Sequence, residues 1–177
     1  WKTAGLPLET GASQTTPLQW EAVAETASYV SVEELVTALE SGTSVGLDVG
    51  TSTHYEVGHV PSATWVPRYH IEQWLDDRLD SDEPVVLTCP DGQVSTYTAA
   101  ALQHERDGDE IRVLRGGVDA WADADRSLAD GSDGMAYEPR DVVPKPYHQG
   151  EWAKRAYLDW EQKLGEQFTR ESAQSDE

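Results

Sequence analysis

The stretch spanning residues 84–102 places the strongest constraint on how this 177-residue chain can fold. It begins with an apolar run at 85–87, bounded by Pro84, which predicts a short buried strand. It ends with an alanine-rich segment at 95–102, which predicts a helix. A tight loop joins the two. A buried strand followed directly by a helix is typical of a parallel sheet, where helices form the crossovers between strands.

The same alternation runs through most of the chain. Strands are predicted over 45–49, 63–66 and 111–114, and helices over 31–40, 69–79 and 118–124. Ser31 and Glu34 have the spacing of a capping box at the first of these helices. The sequence therefore predicts an α/β domain with a parallel sheet, whose ligands would bind beyond the carboxyl ends of the strands.

Cys89, the only cysteine, opens the loop that follows the strand at 85–87. A strand–loop–helix turn leaves backbone N–H groups without partners, and the positive end of the helix dipole lies beside them. A thiol in this place is expected to ionise more readily than a free one, and the thiolate is the nucleophile. Gly92 allows the tight turn. The alternative is that Cys89 is a small apolar residue at the end of a core strand.

The composition narrows the classes of partner. The net charge is −20, with 33 acidic and 13 basic residues, and the acids are spread along the chain. This acidic, lysine-poor composition resembles that of salt-adapted archaeal proteins. It disfavours nucleic acid as a partner, because phosphate contacts need clustered Lys and Arg. One cysteine excludes an internal disulfide and a multi-cysteine metal site. A cytoplasmic location fits this cysteine usage best. No apolar run approaches membrane-spanning length, so no membrane partner is expected.

Four segments, in their order along the chain, resemble the rhodanese (sulfurtransferase) family. The first is Leu-Asp-Val at 47–49, which resembles the first strand of that family. The second, HYEVGHVPSA at 54–63, resembles its E-Y-x-x-G-H-I-P-G-A segment. The third is Cys89 with Gly92 and Ser95, which resembles the six-residue active-site loop and the serine that follows it. The fourth is LRGGVDAW at 114–121, which resembles the closing L-x-G-G-x-x-A-W. The resemblance covers about residues 28–131 and implies a rhodanese-like α/β fold, with helices on both faces of a mainly parallel sheet.

The resemblance also implies a reaction. A sulfane sulfur would move from a small anionic donor such as thiosulfate to a thiol or cyanide acceptor, through a persulfide on Cys89. No metal or organic cofactor is needed for this chemistry. Asp48 and His59 are expected to be structural supports. Ser95 would cap the helix, and the donor would bind at the N–H groups that follow Pro90, in Asp91, Gly92, Gln93, Val94 and Ser95.

The loop departs from the family pattern in its charge. Active members often carry one or two cations there, whereas this loop has none and contains Asp91, with Val94 at a position usually held by Arg, Thr or Ser. Arg68, Arg112 and Arg115 are the candidates for supplying positive charge from elsewhere. A second departure concerns two positions together: Gly50 and His54 stand where the family commonly has the two partners of an ion pair.

The chain is expected to be the C-terminal part of a tandem protein. Residues 1–11 match 121–131 at Trp, Ala, Leu and Gly, so they are interpreted as the end of a preceding rhodanese-like domain, which would be a partner in the same protein. The prediction continues with a linker at 12–27, the rhodanese domain at 28–131 and an extension at 132–177 that contains one amphipathic helix, over 150–169.

Two other functions compete with the sulfurtransferase. One is a catalytically weak rhodanese-like module for binding or scaffolding, which the acidic loop favours and the retained cysteine opposes. The other is a phosphatase or arsenate reductase of the Cys-x5-Arg type. That chemistry needs an arginine to clamp the oxyanion, and Ser95 stands in its place.

Overall fold

The computed structural model of the chain describes residues 2–8, 16–78, 83–106, 110–143 and 145–174. It contains two units, Trp1–Glu138 and Pro139–Glu177, which are described separately. Parts of two predicted regions, residues 9–11 of the expected domain end and 12–15 of the expected linker, lie outside the described residues, as does Trp1.

A five-stranded sheet forms the centre of the first unit within the described residues, in the order β1-β5-β4-β2-β3 with every pair parallel. The α/β prediction is therefore confirmed. The strands are β1 (Tyr29–Val30), β2 (Val45–Asp48), β3 (Thr64–Trp65), β4 (Val85–Thr88) and β5 (Ile111–Leu114).

Six helices accompany the sheet in the described part of this unit. They are α1 (Trp20–Thr26), α2 (Val32–Ser41), α3 (Ser52–Val57), α4 (Ile71–Arg78), α5 (Gln93–Glu105) and α6 (Gly117–Asp123). The predicted capping box is present at α2: the Ser31 hydroxyl accepts the Glu34 N–H, and the Glu34 carboxylate accepts the Ser31 N–H. Helix α1 lies in the segment predicted as a linker, where the composition gave no helix signal.

The core has two layers because side chains alternate between the faces of the sheet. One cluster lies on the side of α4 and α5 and includes Leu47, Leu87 and Val113. The other lies on the side of α2 and α6 and includes Val86 and Leu114. Helices therefore cover both faces, and the two central strands, β4 and β2, end in the middle of the carboxyl edge of the sheet.

The second unit contains a long helix, as predicted. Helix α7 spans Glu151–Gln174 and follows a short 3-10 turn at Pro146–His148. The Tyr147 and Tyr157 rings meet edge to face, with their centroids 5.6 Å apart. Trp152 and Phe168 on α7 are each 71% exposed. Of the helices in the described ranges, none combines the length and the apolarity that a membrane crossing would need.

Candidate functional site

Cys89 and Asp48 meet at the carboxyl edge of the two central strands. Cys89 directly follows β4, and Asp48 is the last residue of β2, opposite Thr88 in the parallel register. Gly50 lies beside both, since a Cβ added to it would lie 2.9 Å from the Asp48 carboxylate and 3.8 Å from Cys89 Cα. The sequence analysis placed both residues at the carboxyl ends of strands, and the structure adds that these two strands are neighbours.

The loop after Cys89 enters helix α5 earlier than predicted. Gly92 adopts a left-handed φ of 81° and is the N-cap, so α5 begins at Gln93 rather than at Ser95. The Asp91 carboxylate accepts the Gln93 N–H at 2.9 Å. The prediction that Ser95 caps the helix is therefore wrong. Ser95 lies inside the first turn, where its hydroxyl donates to the Gly92 carbonyl at 3.0 Å.

The sulfur of Cys89 nevertheless has polar neighbours. The Ser95 N–H donates to Sγ at 3.3 Å, and the Ser95 hydroxyl lies 3.4 Å from it. One Asp91 carboxylate oxygen lies 3.9 Å from the sulfur. The thiol is thus held at the first turn of α5, next to one main-chain donor and one hydroxyl, with a carboxylate nearby.

The expectation of an unusually acidic thiol is not met. Cys89 is 0% exposed and belongs to the core cluster on the α4 and α5 side. Burial raises the pKa of its thiol, and the Asp91 charge acts in the same direction, while the Ser95 hydroxyl and the Ser95 and Gly92 amides lower it. The net effect is a raised pKa, because the free energy of removing the thiolate from water exceeds the stabilisation that these few donors provide.

A glycine pair at the start of α6, Gly116 and Gly117, lies against the loop. The Val118 N–H donates to the Cys89 carbonyl at 3.0 Å, and the Asp119 N–H donates to the Pro90 carbonyl at 2.9 Å. This close approach needs glycine, since a Cβ on Gly117 would lie 2.1 Å from the Cys89 carbonyl oxygen, and its φ is 63°. In the sequence, this pair stood out only as part of the LRGGVDAW segment at 114–121. The sequence feature that could have indicated a close contact with the cysteine loop is the position of the two glycines, directly after a predicted strand.

Asp48 is a buried carboxyl in the wall of the site. It accepts the Gly50 N–H at 2.8 Å and is 2% exposed. Burial raises the pKa of Asp48 to about 7, and the Gly50 hydrogen bond opposes this rise. The carboxyl therefore supports the turn that contacts Pro90.

The surroundings of Gly50 explain why a glycine stands where the sequence comparison led us to expect one partner of an ion pair. A Cβ at this position would lie 2.9 Å from the Asp48 carboxylate and 3.0 Å from Pro90 Cδ. The Trp65 indole N–H donates to the Gly50 carbonyl at 2.9 Å, which fixes this turn against β3. A larger residue would have to shift these neighbours.

His59 has the surroundings of a packing residue. Its Nδ1 donates to the Tyr55 carbonyl at 2.8 Å, since a carbonyl can only accept. Its ring stacks on the Tyr55 ring with centroids 3.6 Å apart. The backbone of His59 also pairs with Ala129 in an antiparallel bridge.

A cleft of about 250 Å³ lies on the opposite side of the sheet. Its lining includes Val36 and Leu39 from α2, Trp121 from α6, and two charged residues, Glu40 and Arg126. These apolar residues belong to or pack on the α2 and α6 cluster, whereas Cys89 belongs to the other. The cleft is therefore separate from the cysteine site.

Comparison with known proteins identifies the family of this fold and loop. The model of the rhodanese-like domain family matches residues 31–124. No match was found among curated proteins. A thiosulfate sulfurtransferase from Pseudomonas aeruginosa of known structure is 32% identical, with a TM-score of 0.70. The match covers 81% of this chain and 28% of the P. aeruginosa protein, so this chain spans less than a third of that protein's length.

More distant structures share the fold. A rhodanese-like domain from Anabaena is 17% identical over 66% of this chain and 92% of its own, with a TM-score of 0.52. A Rhodopseudomonas palustris protein of unknown function, described as a possible tyrosine phosphatase, is 20% identical over 67% of this chain and 100% of its own, with a TM-score of 0.56. At these identities the likeness concerns the fold alone.

Proposed function

Because the chain belongs to the rhodanese-like domain family, we propose that it is a sulfurtransferase that carries a sulfane sulfur on Cys89. The observation that carries the proposal is the contact of the Cys89 sulfur with the Ser95 N–H, 3.3 Å away, at the first turn of α5. A main-chain donor at a helix start stabilises negative charge on sulfur. The same donor would serve the thiolate before the reaction and the persulfide after it.

The proposed step balances with thiosulfate as donor. The Cys89 thiolate attacks the sulfane sulfur, a new S–S bond forms, and the S–S bond of thiosulfate breaks. Sulfite leaves with the electron pair of that bond, and the persulfide retains one negative charge. A thiol or cyanide then attacks the outer sulfur and returns the Cys89 thiolate. The step needs neither an oxidant nor a reductant.

The remaining site residues have supporting roles in this proposal. Asp48 fixes the turn that contacts Pro90, and His59 packs behind it against Tyr55. The donor would bind at the loop, beside the Ser95 N–H and hydroxyl that contact the sulfur. The loop residues proposed for this contact are Asp91, Gly92, Gln93, Val94 and Ser95.

A second candidate function follows from the burial of the thiol. With no exposed surface and a raised pKa, Cys89 is a weak nucleophile in this conformation. This favours a rhodanese-like module that binds a partner or supports a neighbouring domain of the same kind. The preceding domain and a cytoplasmic location remain part of the proposal from the sequence.

Intact mass measurement separates these functions. The full chain is incubated in molar salt with thiosulfate, and separately with mercaptopyruvate or an organic persulfide. We expect a gain of one sulfur atom, which cyanide removes. The Cys89→Ser variant is a clean control because no other cysteine can take up the sulfur. A mass that stays unchanged with every donor would leave the binding module as the function.

The pH dependence of this reaction follows from the raised pKa of the thiol. Only the thiolate attacks, so the rate of persulfide formation should rise with pH through neutrality and continue to rise into the alkaline range. Single-turnover rates of persulfide formation from about pH 6 to about pH 10 would measure this dependence. A rate that levels off below neutral pH would contradict the burial of the thiol in the reacting state.

A further inference from the structure

The site around Cys89 is poor in positive charge. Between Cys89 and Ser95 the only charged side chain is that of Asp91. A second acid, Asp119, follows the glycine turn, and its N–H donates to the Pro90 carbonyl. An anionic donor that approaches the sulfur therefore meets the Asp91 carboxylate, 3.9 Å from it, in a chain of net charge −20. A cation that binds such a donor has to come from another element.

Arg115 is the cation that the sheet places next to Cys89. It follows β5, the strand beside β4, and Leu87 pairs with Val113 in the parallel register. Cys89 and Arg115 each lie two residues beyond this pair, so the same register places them side by side. Its backbone is still part of the sheet, because its N–H donates to the Val30 carbonyl at 3.0 Å. Neighbouring strands are about 4.8 Å apart, which is less than the length of an extended arginine side chain.

The Arg115 side chain lies on the same face of the sheet as the thiol. Its guanidinium carbon is 4.1 Å from the centroid of the Tyr29 ring. Tyr29 packs against the core cluster that contains Cys89. The Tyr29 hydroxyl is 3.4 Å from the Thr96 hydroxyl, in the first turn of α5. Tyr29 thus holds the cation near the helix turn whose amide contacts the sulfur.

The Arg115 guanidinium is also available for a ligand. Arg115 is exposed, and no carboxylate of the described ranges lies within 4.0 Å of it. Arg112, by contrast, pairs with Glu110, and its charge acts on Glu34 at the start of α2, on the other face of the sheet. Arg68 follows β3, which β2 separates from β4.

We propose that Arg115 is the donor-binding cation of this site. It would leave the Tyr29 ring and bind the anionic end of a sulfonate-type donor such as thiosulfate, while the sulfane sulfur faces Cys89. Hydrogen bonds between a guanidinium and an oxyanion are stronger than a solvent-exposed contact with an aromatic ring, so the exchange is favourable. The inference rests on the proposed function for its chemistry, but its binding test does not require turnover.

The binding test uses the full-length Cys89→Ser chain, in which no sulfur transfer can follow. Isothermal titration with thiosulfate measures its affinity. We expect Arg115→Gln in this background to weaken binding about five- to tenfold, as for the loss of one charged hydrogen-bonded contact. Arg115→Lys should recover part of the loss, and the matched Arg112→Gln should change little. Equal affinity with and without Arg115, or no measurable binding in the parent, would overturn the inference.

A comparison of donors separates this inference from the proposed function. In the chain with Cys89 intact, Arg115→Gln should slow persulfide formation from thiosulfate about five- to tenfold. It should leave the rate with 2-hydroxyethyl hydropersulfide nearly unchanged, because that donor has no sulfonate group for the guanidinium to bind. A general loss of structure would slow the reaction with both donors. Equal slowing with both donors overturns the inference and leaves the proposed function intact. Thiosulfate binding that depends on Arg115, without persulfide from either donor, supports the cation site and overturns the proposed function.

Discussion

Asp48 and Cys89 show what burial does to two ionisable residues at neighbouring strand ends. Both lie at positions that the sequence predicted, because the apolar runs before them identify β2 and β4. Their protonation could not be predicted in the same way. The pKa of each group depends on residues that are distant in sequence and cover it in the fold, such as the glycine turn after β5 over the Cys89 loop.

The buried carboxyl of Asp48 predicts a pH-dependent stability. Its pKa in the fold is raised from 3.8 to about 7, so the folded chain holds this proton more tightly than the unfolded chain. The contribution of Asp48 to the free energy of unfolding should therefore fall as the pH rises from about 4 to about 7. Above about pH 7 this contribution should stay constant. Asp48→Asn keeps an oxygen for the Gly50 N–H and removes the titration. Relative to the wild type, the variant should gain up to about 4 kcal/mol across this pH range.

Urea unfolding at a series of pH values would measure this difference. Asp77→Asn, an exposed position on α4, controls for the loss of one negative charge. A difference between Asp48→Asn and the wild type that is the same at every pH would contradict the burial of an ionisable group at position 48.

At the scale of elements, the sequence predicted strands β2, β3, β4 and β5 and most helices, but it gave no signal for β1 and α1. Strand β1 has only two residues, too few to show an alternation of polar and apolar side chains. Helix α1 has no buried residue, so its sequence shows no apolar stripe. Their positions depend on contacts with later elements, such as Tyr29 with β5 and Trp20 with Tyr97. The start of α5 was placed two residues late, because Gly92 rather than Ser95 supplies the turn.

The turn between β5 and α6 gives a prediction at this scale. Gly117→Ala should destabilise the first unit by more than about 2 kcal/mol, since the new Cβ would collide with the Cys89 carbonyl and the backbone is left-handed. Gly131→Ala is the matched control: its φ of 85° is also left-handed, but nothing lies within 4 Å of the added Cβ. It should cost only about 1 kcal/mol.

Urea midpoints of the two variants and the wild type would measure this difference. If Gly117→Ala and Gly131→Ala lose the same stability, the backbone conformation alone explains the cost, and the contact between the turn and the cysteine loop has no energetic role.

At the scale of the whole molecule, charge dominates over any single contact. The described residues include ion pairs such as Arg106 with Asp76, but 13 basic residues cannot neutralise 33 acidic ones, and the net charge is −20. Like charges spread over a small surface repel one another and destabilise the compact state. Salt should relieve this, since the Debye length falls from about 10 Å at 0.1 M to about 3 Å at 1 M.

We therefore expect the melting temperature to rise by about 5–10 °C between 0.1 M and 1 M KCl, as for a few kcal/mol of relieved repulsion in a chain of this size. Thermal unfolding followed by circular dichroism would measure it. Sucrose at matched osmolality controls for effects of the solute that do not depend on charge. A melting temperature that is independent of KCl, or one that sucrose raises equally, would contradict screening as the cause.

The hydrogen bonds between the cysteine loop and the start of α6 join main-chain atoms only: two carbonyls on one side and two amides on the other. The exposed side chain at position 119 can therefore vary without disturbing these hydrogen bonds. The surface seen by an incoming molecule can diverge among relatives while the reactive atom keeps its place, and the glycine at 117 is a residue that such divergence has to spare.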